Sequence, residues 1–292
     1  MKKVVRRGII TLENKKKFYC HVNGIYFVST FLRRKMFFKL FICLLAGLGA
    51  GLGTGFAGLS AAAVITPMLV VCLDIPAYEA VAIALFSDVL ASAASSVTYA
   101  KNKNIDIKNG IIMLISVLVF TVAGSYVASV VPNKTMGGFS MFMTLILGIK
   151  FIVKPVMTTK EKMQSKSTKI KVIQSILCGV LIGFICGFIG AGGGMMMLLM
   201  LTSVLGYDLK TAVGTSVFIM AFTALTGAVS HFVIGGMPDL TCMIACAVFT
   251  LAFAQLGAHI ANKAEPKALN RMLGIVLTAV GAFIIIFNFI FN

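Results

Sequence analysis

The residues Gly190-Ala191-Gly192-Gly193-Gly194 sit inside a long apolar run that carries no charge between Lys171 and Asp208. Gly187-Phe188-Ile189 lead into them and Met195-Met196-Met197 follow. Glycine in a helix interior costs roughly 1 kcal/mol against alanine, so this density predicts a break in the helix. Within a bilayer a break is tolerated only where the freed backbone groups are buried in protein or line a wet cavity. The freed N–H groups and the positive end of the following half-helix make a site for an anion. Gly190, Gly192, Gly193 and Gly194 are therefore candidate backbone donors. Close helix packing is the competing use of small residues.

Three other groups could share that chemistry. Thr215 and Ser216 lie near the start of the next apolar segment, and their hydroxyls either donate to an oxyanion or bond their own helix backbone. Ser60 stands at the place in the first half that Gly192 holds in the second. Asp88 is the one charge in the stretch from 80 to 100. A carboxylate deep in a membrane span is a functional candidate, here a proton carrier; the alternative is a neutral, hydrogen-bonded acid bridging helices. His231 and His259 fall near opposite ends of their spans and read as interfacial groups without metal-ligand company. The methionines 195, 196, 197 and 200 point in different directions on a helix, so they read as flexible packing rather than a soft-metal site.

The elements that position these residues are membrane spans. The chain is 59% hydrophobic and 12% charged, against about 25% charged in a soluble domain. The net charge of +17 does not indicate nucleic acid, because the lysines and arginines lie in the tail and the loops between apolar runs. The cysteines show no metal-knuckle spacing, and most lie in apolar segments as small buried hydrophobes. No cofactor site is indicated.

Residues 1–39 form a basic tail without the short apolar core and small-residue cleavage site of a signal peptide. Met36 directly precedes the first apolar run and is a second candidate start of translation. The run from Leu40 to Leu73 is longer than the roughly 20 residues one span needs, and glycines punctuate it. It predicts two helical pieces, Leu40–Phe56 and Leu59–Leu73. Further spans are expected at 79–99, 110–131, 136–153, 172–189 with 195–205, 211–234, 240–261 and 269–291.

The order repeats. Gly47, Gly51, Gly55, Phe56 and Gly58 match Gly179, Gly183, Gly187, Phe188 and Gly190 at an offset of 132, and Gly124 matches Gly257 at 133. The predicted fold is thus an all-α polytopic membrane protein of about eight transmembrane segments. Two homologous four-segment repeats, 40–153 and 172–292, each open with a glycine-broken helix, and a linker at 154–171 joins them. Homologous halves around a midplane site are a transporter signature. If each broken segment crosses once, the basic tail, Lys101–Lys108 and the linker share one side, which predicts a cytoplasmic linker and two cytoplasmic termini in the cell membrane.

The doubled glycine pattern resembles the TauE/SafE family of membrane transporters, the sulfite exporters, over roughly residues 40–290. Its carriers are Gly190–Gly194 after Gly179, Gly183 and Gly187, their first-half counterparts Gly47, Gly51, Gly55 and Gly58 with Pro67, the run Ala212-Val213-Gly214-Thr215-Ser216, and Gly257. The first half departs from it: Ser60-Ala61-Ala62 replace the glycines and Ala82-Ile83-Ala84 replace Gly-Thr-Ser. The resemblance implies a secondary transporter of a small anion: sulfite, a sulfonate or an organic carboxylate. A passive anion channel is the alternative. The chain carries no phosphate-binding Gly-x-x-x-x-Gly-Lys-Ser/Thr loop. No paired nucleophile and base suggests an enzyme. The implied partners are the small anion and the bilayer.

Overall fold

The computed structural model describes residues 35–132, 168–189 and 193–265, with scattered positions in 149–153 and 267–286. The expected spans 136–153 and 269–291, the tail up to residue 34 and most of the 154–171 linker lie outside the described residues. Within them the regular structure is helical: α1 (Lys35–Ala57), α2 (Ala62–Leu73), α3 (Ala77–Lys101), α4 (Ile107–Val130), α5 (Thr168–Ile189), α6 (Gly193–Leu199), α7 (Leu209–Gly235) and α8 (Leu240–Lys263). A π-helical turn, Met200–Val204, continues α6. Residues Ile42–Asn292 form one compact unit; of the unit before it, Met1–Phe41, only the first turns of α1 are described.

Five of these helices have the length and apolar composition to cross a membrane: α1, α3, Gly110–Val130 of α4, α7 and α8. The hydrophobic stretches end where the chain supplies polar stops. Asp208 and Asp239 cap α7 and α8, accepting from the N–H groups of Thr211 at 3.4 Å and Cys242 at 2.9 Å. Asp74 closes α2 in the left-handed conformation, with φ 56°. Large apolar side chains such as Ile115, Val119, Leu177 and Val233 point outward, as lipid contact requires. The described cysteines are buried or half-buried and form no disulfide among the described residues.

The glycines spaced by four are packing seams. Gly47, Gly51 and Gly55 lay α1 against α8, where a Cβ on Gly51 would fall 2.6 Å from the Thr250 carbonyl oxygen and one on Gly55 2.7 Å from Ala258 N. Gly179, Gly183 and Gly187 lay α5 against α4, where a Cβ on Gly187 would fall 2.8 Å from Ser125 N. Lipid gives helices no hydrophobic drive to associate, so close backbone contact of this kind has to hold them. Packing and breaking thus divide the glycines. Those up to Gly187 pack; α1 stops at Ala57 and α2 begins at Ala62, while α5 stops at Ile189 and α6 begins at Gly193.

Contacts between loops fix which ends lie together. At one end Glu79 Oε1 accepts from the Asp239 N–H at 2.7 Å. At the other, Asn104 Nδ2 donates to Asn262 Oδ1 at 3.0 Å, and the Tyr207 hydroxyl donates to Asp106 Oδ2 at 3.0 Å. α3 and α8 therefore run from the Glu79 end to the Asn104 end, and α4 and α7 run back. α1 runs alongside α8, its Gly47 at Phe249 and its Gly55 at Ala258. α5 runs alongside α4, its Gly179 at Met113 and its Gly187 at Ser125.

This corrects the single-crossing arrangement. α1 climbs from the Glu79 end, and the chain is back at that end when α3 begins, so α2 returns after the break. α5 descends from the Asn104 end, and Tyr207 is back beside Asp106, so the second broken segment returns as well. Among the described residues, the starts of α1 and α5 accordingly lie at opposite ends of the helices. Lysine counting favoured single crossings because that arrangement collects most of the basic residues on one face, whereas each reversal at a break swaps the side of everything downstream. In a cysteine-free background, Lys103→Cys and Lys263→Cys should react with an impermeant thiol reagent from one face, and Asp74→Cys and Met237→Cys from the other. A single crossing per broken segment requires Lys103 and Lys263 to label from opposite faces.

Candidate functional site

The start of α6 meets the first helix break. A Cβ on Gly194, in the first turn of α6, would overlap the loop that ends α1, 2.5 Å from Ser60 N and 2.8 Å from Leu59 C, and against the Gly58 carbonyl. Gly58 has φ +61°, which reverses the chain there, and its α-carbon lies against the Ser216 hydroxyl of α7. Asp88, near the midpoint of α3, is fully buried beside the same loop. Ser92 Oγ donates to Asp88 Oδ1 at 2.9 Å, and Ser60 and the Ala61 backbone face the carboxyl group. Cys186 of α5 lies within electrostatic reach of it.

Of the residues singled out from the sequence, the fold brings Ser60, Gly194, Ser216 and Asp88 to one place. Gly190 and Gly192 lie outside the described residues, and Gly193 opens α6. Ser60 Oγ accepts from the Ala62 N–H at 3.3 Å, and Ser216 Oγ donates to the Val213 carbonyl at 2.8 Å. Thr215 is turned elsewhere: its Oγ1 accepts the Asp106 N–H at 3.0 Å and pins the α3–α4 loop to α7. Met197 is buried, and Met196 and Met200 pack against the core.

His231 is not interfacial. It is fully buried, with its ring stacked on Tyr78 at a centroid distance of 4.2 Å and its Nε2 3.0 Å from the Gly187 carbonyl. A carbonyl accepts only, so Nε2 carries the proton. Burial comes from α7 pressing its last turns against the start of α3, which position along the span does not reveal. Tyr99 does the same for the other break, its hydroxyl donating to the Gly55 carbonyl at 3.0 Å. The sequence reading missed both roles. The available signal was that Tyr99 and His231 stand at the same offset, 132, as Gly55 and Gly187.

A helical membrane protein whose buried polar centre lies between two interrupted helices has the construction of a membrane transporter. The chain belongs to the sulfite exporter TauE/SafE family, which matches residues 43–284. It is similar to the probable membrane transporter protein YunE of Bacillus subtilis, 26% identical over 71% of this chain and 81% of the relative. It is similar also to the probable membrane transporter protein MJ0441 of Methanocaldococcus jannaschii, 27% identical over 71% and 79%. A third relative, the probable membrane transporter protein YdhB of Bacillus subtilis, is 22% identical over 80% and 94%. No solved structure matches the chain. The family is one of membrane transporters, so this protein is a multi-pass membrane transporter and not an enzyme.

Proposed function

We propose that the protein is a secondary transporter of a small anion such as sulfite, a sulfonate or an organic carboxylate, carried at the crossing of the two helix breaks. The observation that supports this most is the contact of Gly194 with Gly58–Ser60, beside Asp88. Here the first turn of α6, at Gly194, meets the non-helical loop of Gly58–Ser60, so backbone groups there and the hydroxyls of Ser60 and Ser216 lie close together. Thr215 belongs to the same segment and supports the site by holding α7 to the neighbouring loop. Asp88 supplies the exchangeable proton that offsets the anion's charge in a dry environment.

Two inverted repeats are the organisation this reading uses. In its favour, Ala254 and Ala258 stand to Gly55 as Thr121 and Ser125 stand to Gly187, partner for partner at an offset of 133.

Counterflow tests the function. Purified protein in liposomes loaded with methanesulfonate or sulfite should concentrate the labelled anion transiently against its gradient. Strictly downhill flux would assign a channel, and the absence of flux with a panel of small anions would remove the anion reading.

A further inference from the structure

We infer that one face of α3 is a buried hydroxyl file that carries protons between Asp88 and the membrane face at the Asn104 end; this rests on the proposed coupling role of Asp88. Asp88, Ser92, Ser95 and Tyr99 recur at i, i+4, i+7 and i+11, a single helix face, and each is fully buried. Both ends of that face are located by contact. Asp88 faces Ser60 and Ala61 in the first break, and the Tyr99 hydroxyl donates to Gly55 near the end of α1. Ser92 and Ser95 therefore look toward the same hairpin between them. Ser92 Oγ already bonds Asp88 Oδ1 at 2.9 Å.

The polar atoms of this file are under-satisfied. Among the described residues, Asp88 Oδ2 and Ser95 Oγ are buried without a hydrogen-bond partner. Buried polar groups in proteins are paired with protein or with ordered water, and a membrane interior offers no other source of partners. Hydroxyls donate and accept at once, so a proton accepted on one side of each oxygen is matched by one released on the other, and rotation of each O–H then resets the file for the next transfer.

The file has one direction. Continuing the same face of α3 below Asp88 gives Ala84, Val81 and Ala77, all buried and apolar. The matching face of α7 reads Met220, Ala224 and Gly227 before His231, so the second half provides no second file. Among the described residues, the titratable groups that face the file are Cys186 from α5, beside Asp88, and Tyr99 at its far end. In this arrangement the file links Asp88 to the Asn104 end, and coupling requires the proton to leave toward the other face together with the anion.

The test separates file from coupling. Proteoliposomes are assayed with methanesulfonate and with sulfite, both for exchange at equal pH and for accumulation under a pH gradient. With Ser95→Thr as the control of equal bulk that keeps a hydroxyl, Ser95→Val removes the hydroxyl and puts two methyl groups in its place. It should leave exchange unchanged and slow pH-driven accumulation by about tenfold or more, and Ser95→Thr should restore it. Val81→Ala, on the apolar side, should leave both unchanged. Ser95→Val accumulating as fast as the parent overturns the file even when Asp88→Asn has lost accumulation. An equal loss in Val81→Ala also overturns it, since the effect is then one of packing. Undiminished accumulation by Asp88→Asn removes the coupling role itself.

Discussion

Gly194→Leu is expected to lower anion flux by about 100-fold or more while the protein still inserts in the membrane. The side chain has nowhere to go. Its Cβ alone would overlap the backbone of Gly58, Leu59 and Ser60, and backbone cannot swing aside as a flexible side chain can. Relief requires the two breaks to separate, which displaces Ser60 and Asp88 from the volume they share. Overpacking of this kind typically costs about 1–3 kcal/mol, so a lower thermal midpoint should accompany the loss of flux. Gly236→Leu is the control: it changes an exposed glycine in the α7–α8 loop with nothing within 4 Å of its added Cβ, although its φ of +82° adds local strain. Normal flux in well-expressed Gly194→Leu would show that the meeting of the breaks is a packing seam and nothing more.

Asp88→Asn is expected to abolish pH-driven accumulation while retaining exchange between pools. Asparagine keeps the shape and can still accept from Ser92, so the helices stay in register, but it cannot exchange a proton. One pH unit corresponds to about 1.4 kcal/mol, or about tenfold accumulation for one proton moved with one monovalent anion. The parent should approach that ratio and the variant should stay at unity. Asp88→Glu, which keeps the titrating group on a longer stem, should retain part of the accumulation. A variant Asp88→Asn that reaches the parent's ratio would make the acid structural.

These two residues were legible for different reasons. A lone charge in a span of about twenty residues is visible in any reading of the chain, because the bilayer makes such a group expensive. Gly194 was visible only as a member of a cluster; that it touches Gly58 and Ser60, and not a neighbouring helix flank, depends on how the hairpins cross. Ser92, Ser95 and Tyr99 were passed over because serine and tyrosine in a span are common, and only the buried face they share with Asp88 gives them meaning.

The sequence by itself determined that the chain is an all-helical membrane protein, where most of its helices lie, and that glycines interrupt two of them, since hydropathy and backbone propensity are local properties. It also placed the glycine triads that seam α1 to α8 and α5 to α4, though it did not say to which helices. Only the tertiary structure decided that the chain turns back at each break, because a glycine run permits a reversal without commanding one, and the choice rests on long-range contacts such as Glu79 with Asp239 and Asp106 with Tyr207. The same contacts decided that His231 is buried on Gly187 and that Thr215 serves a loop, facts set by which helix end arrives beside which.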